Sequence, residues 1–65
     1  MKVILLPERK ELTFAGSRVV SSLLRELGML PGTVMVIRND ELMTDDERIR
    51  EGDSVEIRRV ISGGI

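Results

Sequence analysis

The chain has 65 residues, ten Lys and Arg against eleven Asp and Glu for a formal net charge of -1, no His, Cys, Trp or Tyr, and a single aromatic, Phe14. This inventory excludes His/Cys zinc sites, thiol nucleophiles, Ser-His-Asp relays and disulfide staples, and so short a chain holds one core with no room for an enclosed ligand cavity of ~300 Å³ or more. Both charge signs are interspersed without a like-charge block and stacking aromatics are missing, which argues against nucleic acid as a partner.

Met1 to Leu6 opens like a signal peptide, but the apolar run stops at Pro7 and Glu8-Arg9-Lys10-Glu11 follows. That is far short of an apolar region of ~7–15 residues. Nothing later approaches the ~18 apolar residues of a membrane span, so the expectation is a cytoplasmic chain with no membrane partner. Val3 to Leu6 reads as a strand, and Leu12-Thr13-Phe14 as its hairpin partner. Ala15-Gly16-Ser17 interrupts the pattern, and Ser17 is the expected N-cap of a helix from about Arg18 to Leu27. Within that helix Val19, Val20, Leu23, Leu24 and Leu27 form one apolar stripe, with Arg18, Ser21, Ser22, Arg25 and Glu26 facing water. Gly28 and then Pro31-Gly32 end it.

Val34 to Ile37 is apolar on both parities, as expected of a central strand covered on one face and partly covered on the other. Asn39-Asp40 supplies a turn, and Leu42-Met43 a short edge strand. Asp45 to Arg50 is polar except for Ile49, read as a plug into the core. Glu51-Gly52-Asp53 is a tight turn into a last strand, Val55 to Ile61, in which Val55 and Ile57 point inward and Glu56, Arg58 and Val60 outward. Arg59 breaks the alternation, so the strand is expected to leave the core there. The order strand, strand, helix, strand, short strand, strand predicts an α+β fold, a mixed sheet of four to five strands with one helix packed across it.

Two side-chain groups invite a functional reading and are better explained structurally. Asp45, Asp46 and Glu47 diverge as adjacent residues do and lack ligands at fixed spacing, so they read as a solvated acidic turn and no metal site is expected. Met29, Met35 and Met43 read as gap-fillers of a small core.

The informative segment is the end, Ser62-Gly63-Gly64-Ile65. Two glycines resist ordering, and three or four extended residues reach roughly 10–14 Å, enough to thread a narrow channel in a partner that admits no Cβ. The domain is therefore divided as residues 1–61, with 62–65 as a projecting tail.

Chain length, element order, the stretch Ile37-Arg38-Asn39-Asp40-Glu41-Leu42, the turn Glu51 to Ile57 and the end Arg59-Val60-Ile61-Ser62-Gly63-Gly64 together resemble the ubiquitin-like β-grasp sulfur carriers of the ThiS and MoaD type, with the small archaeal modifier proteins. The resemblance covers nearly the whole chain. It implies that the functional group is the main-chain carboxylate of Gly64, following Gly63, and that the chain is not an enzyme and binds no cofactor itself. An adenylating partner uses ATP and Mg²⁺ to form an acyl adenylate, and a sulfur donor then converts it to a thiocarboxylate for thiamine synthesis, molybdopterin synthesis or tRNA thiolation, the sulfur-using synthase being the second partner. Arg58, Val60, Ile61 and Ser62 are the expected partner contacts. This chain departs from the pattern by ending in Ile65, whose β-branched side chain would obstruct adenylation. Ile65 is therefore expected to be removed by a protease, or to be an addition to the natural end.

Two other readings stay open from the sequence: a modifier conjugated to lysines, and a non-covalent β-grasp interaction module whose tail is incidental. A ladder of higher-mass bands resistant to reduction distinguishes the first. Activity that survives deletion of residues 63–65 distinguishes the second.

Overall fold

The structure is a computed structural model and describes residues 1–59. Alternation in the first strand, β1 (Lys2–Leu6), buries Val3 and Leu5 and leaves Ile4 and Leu6 half-exposed on the other face. β1 pairs antiparallel with β2 (Lys10–Thr13), giving the expected hairpin. β2 starts earlier than the sequence suggests and excludes Phe14, whose N–H donates to the Met1 carbonyl at 2.9 Å.

The helix departs most from expectation. Arg18–Val19 form a short strand, β3, and α1 runs Val20–Glu26. Ser17 is not its N-cap; the Ser17 hydroxyl instead accepts from Arg48 Nη1 at 3.3 Å. The physical reason lies in another segment: the Val20 and Ser21 N–H groups donate to the carbonyls of Glu47 and Asp45 at 2.9 and 3.0 Å. Donors that a local cap would otherwise satisfy are met by main chain from the 45–47 loop. Val20, Leu23 and Leu24 are fully buried and Leu27 packs half-buried beside them, so the apolar stripe lies on the core as expected. Each such burial contributes about 1.5–3 kcal/mol.

The C-terminus of α1 closes as a Schellman motif. Gly28 has φ +72° and its N–H donates to Arg25, while the Met29 N–H reaches back to Leu24 at 2.9 Å. Both bonds satisfy carbonyls that the helix leaves unpaired.

β4 (Val34–Arg38) and β5 (Glu41–Leu42) are joined by Asn39-Asp40, both at positive φ, with Arg38 opposite Glu41. This is the two-residue hairpin that matches strand twist. β5 ends before Met43, which is 7 % exposed and belongs to the core. β6 (Arg48–Ile49) pairs antiparallel with β3 in a separate two-stranded ribbon, which puts the fully buried Ile49 into the core.

The last strand, β7 (Ser54–Arg59), runs parallel to β1 and antiparallel to β4. Arg59 is exposed, so the strand leaves the core there as expected, although it still pairs with Val34 within the sheet. The main sheet is a mixed five-stranded one in the order β2-β1-β7-β4-β5, which places β7 at its centre. Val3, Leu5, Val36, Val55 and Ile57 face α1 across one core that also takes in Met1, Met43 and Ile49. Among the described residues no helix is long and apolar enough to cross a membrane. The boundary expected at residues 61 and 62 lies outside the described residues.

Candidate functional site

β7 carries the chain to the middle of one end of the sheet, and its last two residues, Arg58 and Arg59, are both exposed. Alternation sends Arg58 to the face opposite α1, where the register sets it beside Leu6 of β1 and opposite Met35 of β4. Arg58 makes no ion pair among the described residues, whereas Arg59 Nη1 lies 3.3 Å from Glu8 Oε2.

Two open depressions flank this strand end. Leu6, Pro7, Met35, Arg58 and Arg59 line one of about 460 Å³, and the loop after α1, with Leu27, Met29, Leu30 and Val34, lines another of about 470 Å³ that also reaches Arg59. Leu30 is 70 % exposed and Met35 37 %. Apolar side chains therefore stand in water on both sides of Arg59, around a cationic centre. An apolar core with arginine is the composition that favours association with another protein surface.

Met35 is consequently not a core filler, as the sequence had suggested. Val34 and Val36 take the inward parity of β4, so Met35 and Ile37 turn outward. Met29 and Met43 do pack on the core. The outer face continues through Ile4, Glu56, Ile37 and Leu42, which share one cross-strand row. The signal for this face was present in the apolar residues at both parities of β4. Leu30 carried no such signal, because it stands in a turn without periodicity.

Of the expected partner contacts, Arg58 lies on this exposed face. Val60, Ile61 and Ser62, and the activation residues Gly63, Gly64 and Ile65, lie outside the described residues.

The acidic turn is occupied locally. The Thr44 hydroxyl donates to Asp46 Oδ1 and the Thr44 N–H to Glu47 Oε1, both at 2.7 Å. The Thr44 hydroxyl bond holds the Asp46 carboxyl below its usual value. Among the described residues no three His, Cys, Asp or Glu side chains converge as metal ligands would.

Comparison with known proteins agrees with this architecture. Residues 3–64 match the ThiS family, a match that includes Gly63 and Gly64 and stops before Ile65. The chain is also similar to the sulfur carrier protein TtuB of Thermus thermophilus, with 46% identity over 65 residues, covering 98% of this chain and 100% of the relative. With a five-stranded mixed sheet, one helix across it and a family match over nearly its whole length, the chain belongs to the ThiS family of β-grasp sulfur carriers, which are carrier proteins and not enzymes.

Proposed function

We propose that this chain carries sulfur as a thiocarboxylate on Gly64, formed after loss of Ile65, and that its partners are an adenylating enzyme and a sulfur-using synthase in the cytoplasm. The observation that carries the reading is the full-length likeness to a sulfur carrier together with a family match ending at Gly64.

The chemistry follows from the weakness of a carboxylate as an electrophile. A Gly64 carboxylate oxygen attacks the α-phosphorus of ATP held by the partner with Mg²⁺, and pyrophosphate leaves. A persulfide sulfur then displaces AMP from the acyl carbon, and a second thiol releases the thiocarboxylate as a disulfide forms on the donor. The carrier's own residues contribute recognition. Arg58 offers a planar cation that can pair two hydrogen bonds to a partner carboxylate, while Leu6 and Met35 bury apolar surface beside it. The sulfur then passes to a biosynthetic acceptor of the thiazole, molybdopterin or tRNA class.

The test is to incubate a chain ending at Gly64 with ATP and candidate adenylating enzymes. Pyrophosphate release, followed by the mass change of a sulfur-for-oxygen exchange when a sulfur donor is added, is the expected result. A chain that no such enzyme charges, with or without Ile65, overturns the reading.

A further inference from the structure

An activated C-terminal carbonyl is an acylating agent, and any amine on the carrier within its reach competes with the intended acceptor. Of the ten cationic side chains only Lys2 and Lys10 are amines; the other eight are arginines, whose guanidinium stays protonated and is a poor nucleophile. With the N-terminus, the chain offers three amines.

Their places in the fold differ. The Met1 amine donates to the Phe14 carbonyl at 2.7 Å, and Met1 itself is 7 % exposed. Lys2 is level with Ser54, the first residue of β7, at the opposite end of that strand from Arg59, and its Nζ lies 4.0 Å from Glu11 Oε1. Lys10 is exposed on the edge strand β2, makes no ion pair among the described residues, and pairs with Leu5, which is level with Ile57. Two strand spacings across and two residues along put its Cα roughly 12 Å from that of Arg59. Lys2 lies roughly 17 Å back along the strands by the same rise per residue. The five residues from Arg59 to Gly64 span at most about 17 Å. Arg58 and Arg59 end β7, and Arg9 lines a depression with Arg58, Leu6, Glu11 and Glu56, so the cations nearest the strand end are guanidinium groups and, of the two lysines, Lys10 stands nearer Arg59.

We propose that Lys10 is the self-acylation site of this carrier: when Gly64 is activated and not held by a partner, Lys10 of the same chain closes a ring with it. The Lys10 Nζ, as the free amine, attacks the Gly64 carbonyl. A C–N bond forms, the bond from the acyl carbon to its leaving group breaks, and the proton released from nitrogen goes to solvent. On the acyl adenylate the leaving group is AMP. The product is an amide that carries no sulfur, so ring closure removes the chain from the carrier cycle.

The inference rests on the proposed activation at Gly64, and its test avoids the activating enzyme. The chain ending at Gly64 is prepared chemically as a C-terminal alkyl thioester and kept at mildly alkaline pH. The expected product is one water lighter than the hydrolysed acid, forms at a rate independent of protein concentration, and yields a Lys10–Gly64 linked peptide on proteolysis. Lys10→Arg lowers its rate about tenfold or more, as loss of a proximate nucleophile should, while Lys2→Arg leaves it unchanged. Both variants are conservative changes at exposed positions, and unchanged melting temperatures confirm that they fold. An undiminished product in Lys10→Arg, a covalent dimer whose yield rises with concentration, or hydrolysis alone overturns the proposal. Because the thioester supplies the activation, absence of ring closure leaves the carrier reading standing, and failure of enzymatic adenylation leaves the ring-closure result intact.

Discussion

Arg38 Nη1 donates to Asp53 Oδ2 at 3.1 Å, and the same oxygen accepts from the Arg50 main-chain N–H at 2.9 Å. Arg38 also reaches the Arg48 carbonyl, so one side chain of β4 ties together β6 and the turn that delivers β7. The Arg50 N–H bond, with desolvation opposing it and the Arg38 bond and charge reinforcing it, holds the Asp53 carboxyl below its ordinary value. A depressed carboxyl contributes stability above the unfolded value of about 3.9 and loses it as pH falls through the folded value. Asp53→Asn should therefore melt at a lower temperature than the parent at pH 7, and the gap should shrink as pH falls below about 4. Thermal melts of both proteins across that range measure this, and a gap that stays constant into strong acid would refute it.

Ile49 is fully buried although it belongs to a two-residue strand in an otherwise polar segment. Ile49→Ala should cost about 2–5 kcal/mol, and Ile49→Val about 0.5–1.5 kcal/mol. Urea unfolding with a constant slope gives both numbers. A loss below about 1 kcal/mol for the alanine variant would mean that the ribbon collapses to fill the space.

Ile49 also shows which parts of this fold can be read without coordinates. A lone apolar residue among charges has one cheap destination, so its burial was legible. Its pairing with Arg18 was not, because the contact spans 31 positions and β3 has only two residues. The same long-range pairing moved the helix start from Arg18 to Val20: Ser17 carries good local capping chemistry, but the carbonyls of Asp45 and Glu47 met the helix donors first. Periodicity placed Val55, Ile57, Leu23 and Leu24 correctly, since each is decided by local alternation and burial alone. At the candidate site Arg58 was legible by strand parity, whereas Leu6 and Met35 became its neighbours only through the parallel pairing of β1 with β7 and the antiparallel pairing of β4.

A Cβ at Gly28 would meet no atom within 4 Å, so a substitution there is penalised by conformation and not by collision. At φ +72° an L residue pays about 1–2 kcal/mol. Gly28→Ala should lose that much in chemical denaturation and Gly28→Asn less, because asparagine tolerates the left-handed region. Equal losses for the two variants would point to a packing cause instead.

Arg58 and Leu30 stand on opposite sides of Arg59, one in the groove with Met35 and the other above the loop depression. A partner that takes hold of the chain end should bury one or both, and the two sides can be separated by substitution. None of Arg58, Met35 and Leu30 belongs to the buried core, so Arg58→Ala, Met35→Ser and Leu30→Ser should leave the melting temperature nearly unchanged. Loss of an arginine anchor in a desolvated contact costs about 2 kcal/mol or more, so Arg58→Ala should lower kcat/KM for adenylation of the chain ending at Gly64 by about thirtyfold. The loss should fall on KM, since Arg58 recognises the partner and does not touch the reacting carbonyl. Met35→Ser should share this effect if the outer sheet face is the docked one, and Leu30→Ser if the loop face is. Normal adenylation of all three variants, in a protein that still requires Gly64, would assign recognition to the residues beyond Arg59 alone.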